Sequence, residues 1–222
     1  MRPLVLLLFI PLIAVLHAHA ASQFEGTIVS ANRSTDDSGA QQTYQMIMHV
    51  KKSMVRVEVP SIAGMPASTA IYRRDRKVTW MLDAASRTYF EIRTPQGGGR
   101  EEGMVGKNEK PVAQRTKKTK KVLGFICEQV IVTRNDMRTE VWGARGLEDL
   151  ASVLADVLND GQGPASDDVI AALGLFPLLS TTTYEGRELE SQEVTRIERR
   201  VLDPALFEIP QGYTKQKAAD VE

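Results

Sequence analysis

Val55, Val57 and Val59 alternate with Arg56 and Glu58. Successive side chains of a strand point to opposite faces, so this spacing predicts a strand with one dry face and one wet face. The pattern recurs at short intervals through the first half of the chain. Residues 23–30 carry it through Phe24, Gly26 and Ile28, and residues 43–50 set Tyr44, Met46, Met48 and Val50 on one face and Gln45 and His49 on the other. That reading makes His49 an exposed strand histidine. Between these segments, residues 31–41 are polar and contain Asp36-Asp37-Ser38-Gly39, which predicts a loop. Lys51-Lys52 predicts a tight connection to strand 53–59. Residues 70–73, 78–82 and 88–93 follow as a meander joined by Arg74-Asp75-Arg76 and Asp83-Ala84-Ala85-Ser86. Residues 96–111, with Gly97-Gly98-Gly99, read as a surface loop and not a phosphate cradle, because no Lys-Ser or Lys-Thr follows at the required spacing.

Residues 115–121 form the one basic cluster, Arg115-Thr116-Lys117-Lys118-Thr119-Lys120-Lys121. Two roles fit it: docking of an anionic or acidic partner, or protection of a strand edge from pairing with other chains. The next segment, 122–133, is apolar on both faces, with Phe125, Cys127 and Ile131 on one and Ile126, Val130 and Val132 on the other; it predicts a central strand covered on both sides. After a strand at 139–144, Leu147, Leu150, Ala151, Leu154, Val157 and Leu158 recur at helical spacing. A second helix is expected to open near Ser166, with Asp167 and Asp168 in its first turn, and to present Val169, Ile170, Leu173 and Phe176. No Lys or Arg lies between Leu147 and Ser180, so packing onto the sheet is favoured over an anionic lipid surface. Strands near 182–189 and 193–202 and a turn over 203–213, anchored by Leu206, Phe207 and Ile209, close the chain. The expected class is mainly β with α+β character.

The N-terminus gives an address. Arg2, an apolar run of about thirteen residues and Ala18-His19-Ala20 ahead of Ala21 have the layout of a signal peptide over residues 1–20, leaving one domain over 21–222. The run falls short of the roughly twenty residues that span a bilayer, so an integral membrane protein is not expected. A retained N-terminal anchor is the alternative, because His17 and His19 are unusual beside a cleavage site. Arg2 is one of 28 basic residues set against 28 acidic ones, so the processed chain carries a formal charge of −1 and offers no electrostatic ground for nucleic-acid binding. Cys127 is the single cysteine and reads as a small buried hydrophobe; no internal disulfide can form. With His17 and His19 gone, His49 stands alone, which excludes a His/Cys metal centre. Asp167-Asp168 and Glu101-Glu102 are adjacent and not convergent, so no catalytic pair is expected, and neither a metal nor a cofactor.

Gly124-Phe125-Ile126-Cys127-Glu128, Thr139-Glu140-Val141-Trp142 and Leu206-Phe207-Glu208-Ile209-Pro210-Gln211-Gly212-Tyr213 resemble a family of secreted bacterial proteins, DUF4412. More distantly, the order of strands, helical insertion and strands is similar to the periplasmic lipoprotein carriers and receptors of the Lol pathway and to sigma-factor regulators of related fold. The resemblance implies a curved, incomplete antiparallel barrel with two helices packed over it, an apolar interior and no catalytic residues. On that fold, Met46, Met48, Trp80, Leu154 and Phe176 are candidates for contact with a lipid or with an apolar segment of an exported protein. Lys117, Lys118, Lys120 and Lys121 are the candidates for an interaction module. Both readings place the protein in the periplasm or outside a bacterial cell.

Overall fold

Period-two alternation and short turns build the first half as expected. Strands β1 (Glu25–Thr35), β2 (Gln41–Lys51), β3 (Met54–Val59), β4 (Ser68–Arg73), β5 (Val78–Asp83) and β6 (Thr88–Arg93) form an antiparallel meander in a computed structural model. The structure describes residues 24–36, 38–62, 66–93, 111–151, 153 and 165–216. The leader, residues 96–110 of the glycine-rich segment, and Leu154, Val157 and Leu158 lie outside them.

In the second half, β7 (Val112–Val122), β8 (Phe125–Arg134) and β9 (Met137–Ala144) are followed by helical residues at 148–151 and 153 and by helix α1 (Ala165–Ala172). The chain continues through β10 (Phe176–Tyr184), β11 (Arg187–Arg199), a 3-10 turn (Pro204–Phe207) and β12 (Thr214–Lys215). All twelve strands join one curved sheet in the order β12-β6-β5-β4-β3-β2-β1-β11-β10-β9-β8-β7, which does not close into a barrel. Neighbours are antiparallel except β12, which adds to β6 in parallel. The two halves meet where β11 pairs with β1. Gly26 belongs to that seam, and a Cβ there would run into the carbonyl oxygen of Glu198.

Four expectations about the elements change. Residues 31–35 continue β1 instead of entering a loop, because β2 pairs with them throughout and β11 as far as Ser34; the turn follows Thr35, where the Asp36 carboxylate accepts from the Ser38 hydroxyl at 2.6 Å and the Ala40 amide at 2.9 Å. Residues 122–133 are not one strand. Leu123 and Gly124, with φ of 48° and 86°, turn the chain between β7 and β8. Ile126, opposite Lys121 near that turn, is 70% exposed, so β8 is covered only farther along: Cys127 enters the main core, whereas Val130 and Val132 pack with Ile170 and Leu175. Residues 182–189 are likewise split by a turn at Glu185-Gly186. Phe176, finally, is the first residue of β10 and not the end of a helix.

The main core gathers Phe24, Ile28, Met48, Val50, Val55, Cys127, Phe176, Leu178 and Val194 beneath Leu147, Leu150, Ala151 and Val153. A second cluster joins Ile71, Trp80 and Leu82 to Leu202 and Phe207 from the C-terminal turn, the anchoring expected of that segment. Arg73, 5% exposed, fixes the turn: Nη1 donates to the Phe207 carbonyl at 3.1 Å and pairs with Glu208, while Nη2 and Nε bind Asp75.

The same C-terminal segment overturns the exposure expected for His49, which is 9% exposed. Its Nδ1 lies 3.0 Å from the Thr27 hydroxyl. Arg200 Nε donates to the same hydroxyl at 3.3 Å, and Arg56, directly opposite His49, donates to the Leu206 carbonyl. Alternation sets His49 on the face away from Met48; it does not say that the chain's last segment returns to cover that face. Burial there lowers the imidazole pKa.

Candidate functional site

One row of directly opposed residues crosses the sheet from its core to its edge. The register sets Ile28 opposite Met48, Met48 opposite Val57, Val57 opposite Ala70, Ala70 opposite Met81 and Met81 opposite Phe90. Cross-strand partners share a face, so this is a continuous apolar stripe. Its cover is uneven. Ile28 and Met48 are buried in the main core, and Ala70 is 8% exposed, but exposure reaches 36% at Met81 and 41% at Phe90; Ile92, two residues along β6 on the same face, is 56% exposed. Among the described residues, the covered face of the sheet thus becomes partly exposed toward the β5–β6 end. A depression of about 880 Å3 lies there, with Met81, Phe90 and Ile92 in it and Glu91, Arg93, Lys215 and Gln216 at its rim. That volume lies within the roughly 300–1,000 Å3 range of small-molecule sites, and the apolar floor is the commonest lining of such sites.

The rim is electrostatically settled. Glu91 faces away from the apolar floor, opposite Trp80, and accepts from Lys215 Nζ at 2.9 Å, from the Trp80 indole at 3.3 Å and from Arg93 Nε at 3.2 Å. Lys215, then Trp80 and Arg93, hold its carboxyl down to about 2. β12 is fastened to β6 through this clasp, through the Thr214 and Gln216 amides donating to the Arg87 and Tyr89 carbonyls, and through the Gln216 side chain on Thr88.

The residues singled out from sequence fall in several places. Met48 (8% exposed) and Phe176 (2%) lie within the main core, and Met46 packs against it. Trp80 belongs to the opposite face, in the cluster with Leu202 and Phe207, and Leu154 lies outside the described residues. Met81 shares the stripe with Met48. Sequence reasoning misses Phe90 and Ile92, because alternation along β6 shows which residues share a face and gives no information about which end of the sheet is roofed. Lys117, Lys118, Lys120 and Lys121 are all exposed on β7, and Lys120 sits 4.1 Å from the centre of the Trp142 ring.

Two smaller depressions flank β1, β10 and β11. One, of about 390 Å3, includes Arg33, Lys120, Glu140, Trp142 and Glu193; the other, of about 210 Å3, includes Asn32, Tyr44, Met46 and Glu190. Both are mixed in polarity, and Arg33, which lines both, pairs with Glu188. Cys127 is fully buried, and desolvation raises its pKa. Among the described residues, no three His, Cys, Asp or Glu side chains converge as metal ligands, and no helix is long and apolar enough to cross a membrane.

The profile of a family described as "Domain of unknown function (DUF4412)" matches residues 24–213. No match was found among curated proteins. Among solved structures, the chain is similar to an uncharacterized conserved protein from Thermus thermophilus, at a TM-score of 0.49 and 10% identity, over 86% of this chain and 90% of that one. It is similar to a LolA superfamily protein from Nitrosomonas europaea, at 0.38 and 9% identity, over 84% and 91% of the two chains. It is also similar to MucB in its complex with MucA(peri), at 0.41 and 12% identity, over 83% of this chain and 55% of that one.

Proposed function

The chain belongs to the DUF4412 family, and from the uncovered apolar end of its sheet we propose that it is a noncatalytic envelope protein that binds a lipid or an apolar segment of an exported protein. The observation carrying this is the emergence of the core stripe at Met81, Phe90 and Ile92 into an open depression. Covering the exposed part of Phe90 and of Ile92 would contribute roughly 1 kcal/mol each. Met46, Met48 and Phe176 extend the same reading inward: a ligand would reach them if the helical residues over the core lifted. In this account residues 1–20 are a signal peptide, residues 21–222 are one domain, and the protein works in the periplasm or outside the cell.

Native mass spectrometry on protein exported to the periplasm of a Gram-negative host and purified without denaturant tests the proposal. Added mass removed by solvent extraction is expected, or saturable binding of a fatty acyl or apolar peptide probe by the extracted protein. A clean mass together with no binding of either probe would remove it.

A second reading draws on Lys117, Lys118 and Lys121, which are exposed and make no ion pair among the described residues. They would dock an anionic partner in a salt-sensitive way. Neutralising these three together with Lys120 should then abolish the partner's retention at low salt, and unchanged retention would end that reading.

A further inference from the structure

We infer that the open end of β6 takes up an extended apolar polypeptide as an added strand; the inference rests on the apolar-binding reading above and names the ligand class within it. The edge itself supplies the argument. The Thr214 amide donates to the Arg87 carbonyl at 3.0 Å and the Gln216 amide to the Tyr89 carbonyl at 2.9 Å, so the odd-numbered residues of this strand turn their main-chain groups outward. The ladder ends at the pairing of Lys215 with Tyr89. By the same alternation, the N–H and C=O groups of Glu91 and Arg93 point outward too, and among the described residues nothing bonds them. Phe90 and Ile92 alternate with these two residues along the strand and are exposed on the face of the depression.

One ligand satisfies both features. An acyl chain can lie over Phe90 and Ile92, but it offers nothing to the main chain of Glu91 and Arg93. An extended peptide bonds those groups and sets alternate side chains beside Phe90 and Ile92, the strand-addition mode of recognition. β12 establishes that this edge accepts a parallel strand, and the site is the direct continuation of that pairing. Glu91 is already neutralised by Lys215 and Arg93, so the added strand needs no charge opposite it, and small or β-branched apolar residues at alternate positions suit the floor.

The test uses the exported full-length chain, a fluorescein-labelled heptapeptide alternating valine and threonine, two versions of it N-methylated on one or the other set of alternate amides, and dansyl-undecanoic acid as the acyl probe. The parent peptide should bind, and methylation of one set should weaken binding about tenfold or more while the other set has little effect. Arg93→Pro, which removes an outward N–H at a tolerant edge position, should weaken binding similarly. The methylated pair decides the matter on the unaltered protein if Arg93→Pro misfolds. Equal binding of all three peptides would overturn strand addition and leave apolar binding standing. Binding of the acyl probe alone would overturn it in favour of lipid. Peptide binding that emerges only after truncation beyond Gln216 would make the chain's own C-terminus the occupant, and dimerisation abolished by Arg93→Pro would make it a second copy; either result overturns the peptide assignment. No binding of any probe, with a clean native mass, would remove the parent reading as well.

Discussion

The two ends of the sheet are protected in different ways. β7 presents an outer edge along which Lys117, Lys118, Lys120 and Lys121 are exposed, and its pairing with β8 is interrupted between Arg115 and Thr119. Charge and a bulge are both devices that keep another strand from docking. Apolar surface is present there as well, since Ile126 is 70% exposed, but it stands opposite Lys121. At the other end, β6 is protected by β12 along Thr88 and Tyr89 and by no described residue beyond them. A charged edge stays solvated whatever approaches it. An appended strand protects only as far as it reaches, and here the described pairing ends at Tyr89, short of Phe90 and Ile92.

The strongest way to separate the two ends is to release the C-terminal turn. Phe207 is fully buried against Ile71, Trp80 and Leu82, and the turn it anchors brings the chain from β11 toward β12. Phe207→Ala should cost about 3–5 kcal/mol in chemical denaturation. Amide exchange should quicken in β5 and β6 and stay unchanged in β8 and β9; equal quickening throughout would mean that the ends are not independent. The next change removes the other protection. Replacing Lys117, Lys118, Lys120 and Lys121 together by threonine should alter unfolding free energy by only about 1 kcal/mol, because the sites are exposed, while producing concentration-dependent association in sedimentation. A protein that stays monomeric would show that the bulge suffices at this edge.

This asymmetry is partly legible in the sequence. The lysines of β7 are visible as edge protection, the alternation of β3 is visible in its valines, and Leu206, Phe207 and Ile209 are visible as an anchor. The turns at Leu123-Gly124 and Glu185-Gly186 are not, because their first residues adopt positive φ without the Asn or Asp that usually marks such a turn. The site is legible least of all. Met81, Phe90 and Ile92 alternate like any half-buried strand residues, and their exposure follows from cross-strand register and from their distance from the main core that Leu147, Leu150, Ala151 and Val153 join. Neither quantity is local in sequence. His49 illustrates the reverse case, a polar-face residue buried by a segment roughly 150 positions away, a pairing that alternation cannot foresee.

Acid should loosen β12 and leave the β7 edge alone. The fold holds the Glu91 carboxyl at about 2, below its ordinary 4.5, through Lys215, Trp80 and Arg93. A depressed carboxyl stabilises the fold fully above its unfolded value, and that contribution is lost as the pH falls from about 4.5 toward 2. Exchange of the Gln216 amide should therefore rise across that window, together with a change in Trp80 fluorescence. Glu91→Gln should flatten both profiles. Profiles that persist in Glu91→Gln would place the titration elsewhere.

The smallest effect on stability belongs to Ile92→Lys, which carries the β7 device to the other end of the sheet. Ile92 is 56% exposed and lies next to the last residue of an edge strand, so little packing is lost, and the change in unfolding free energy should stay within about 0.5 kcal/mol. Ligand capture should change far more. A lysine at that position keeps its stem along the apolar floor and its ammonium in water, so a peptide or acyl chain entering the depression would have to desolvate a charge. Loss of probe binding in a protein of unchanged stability would tie the apolar function to the unprotected end of β6. Unaltered binding would move the ligand to the interior around Met46, Met48 and Phe176, and the contrast between the two edges would then concern solubility alone.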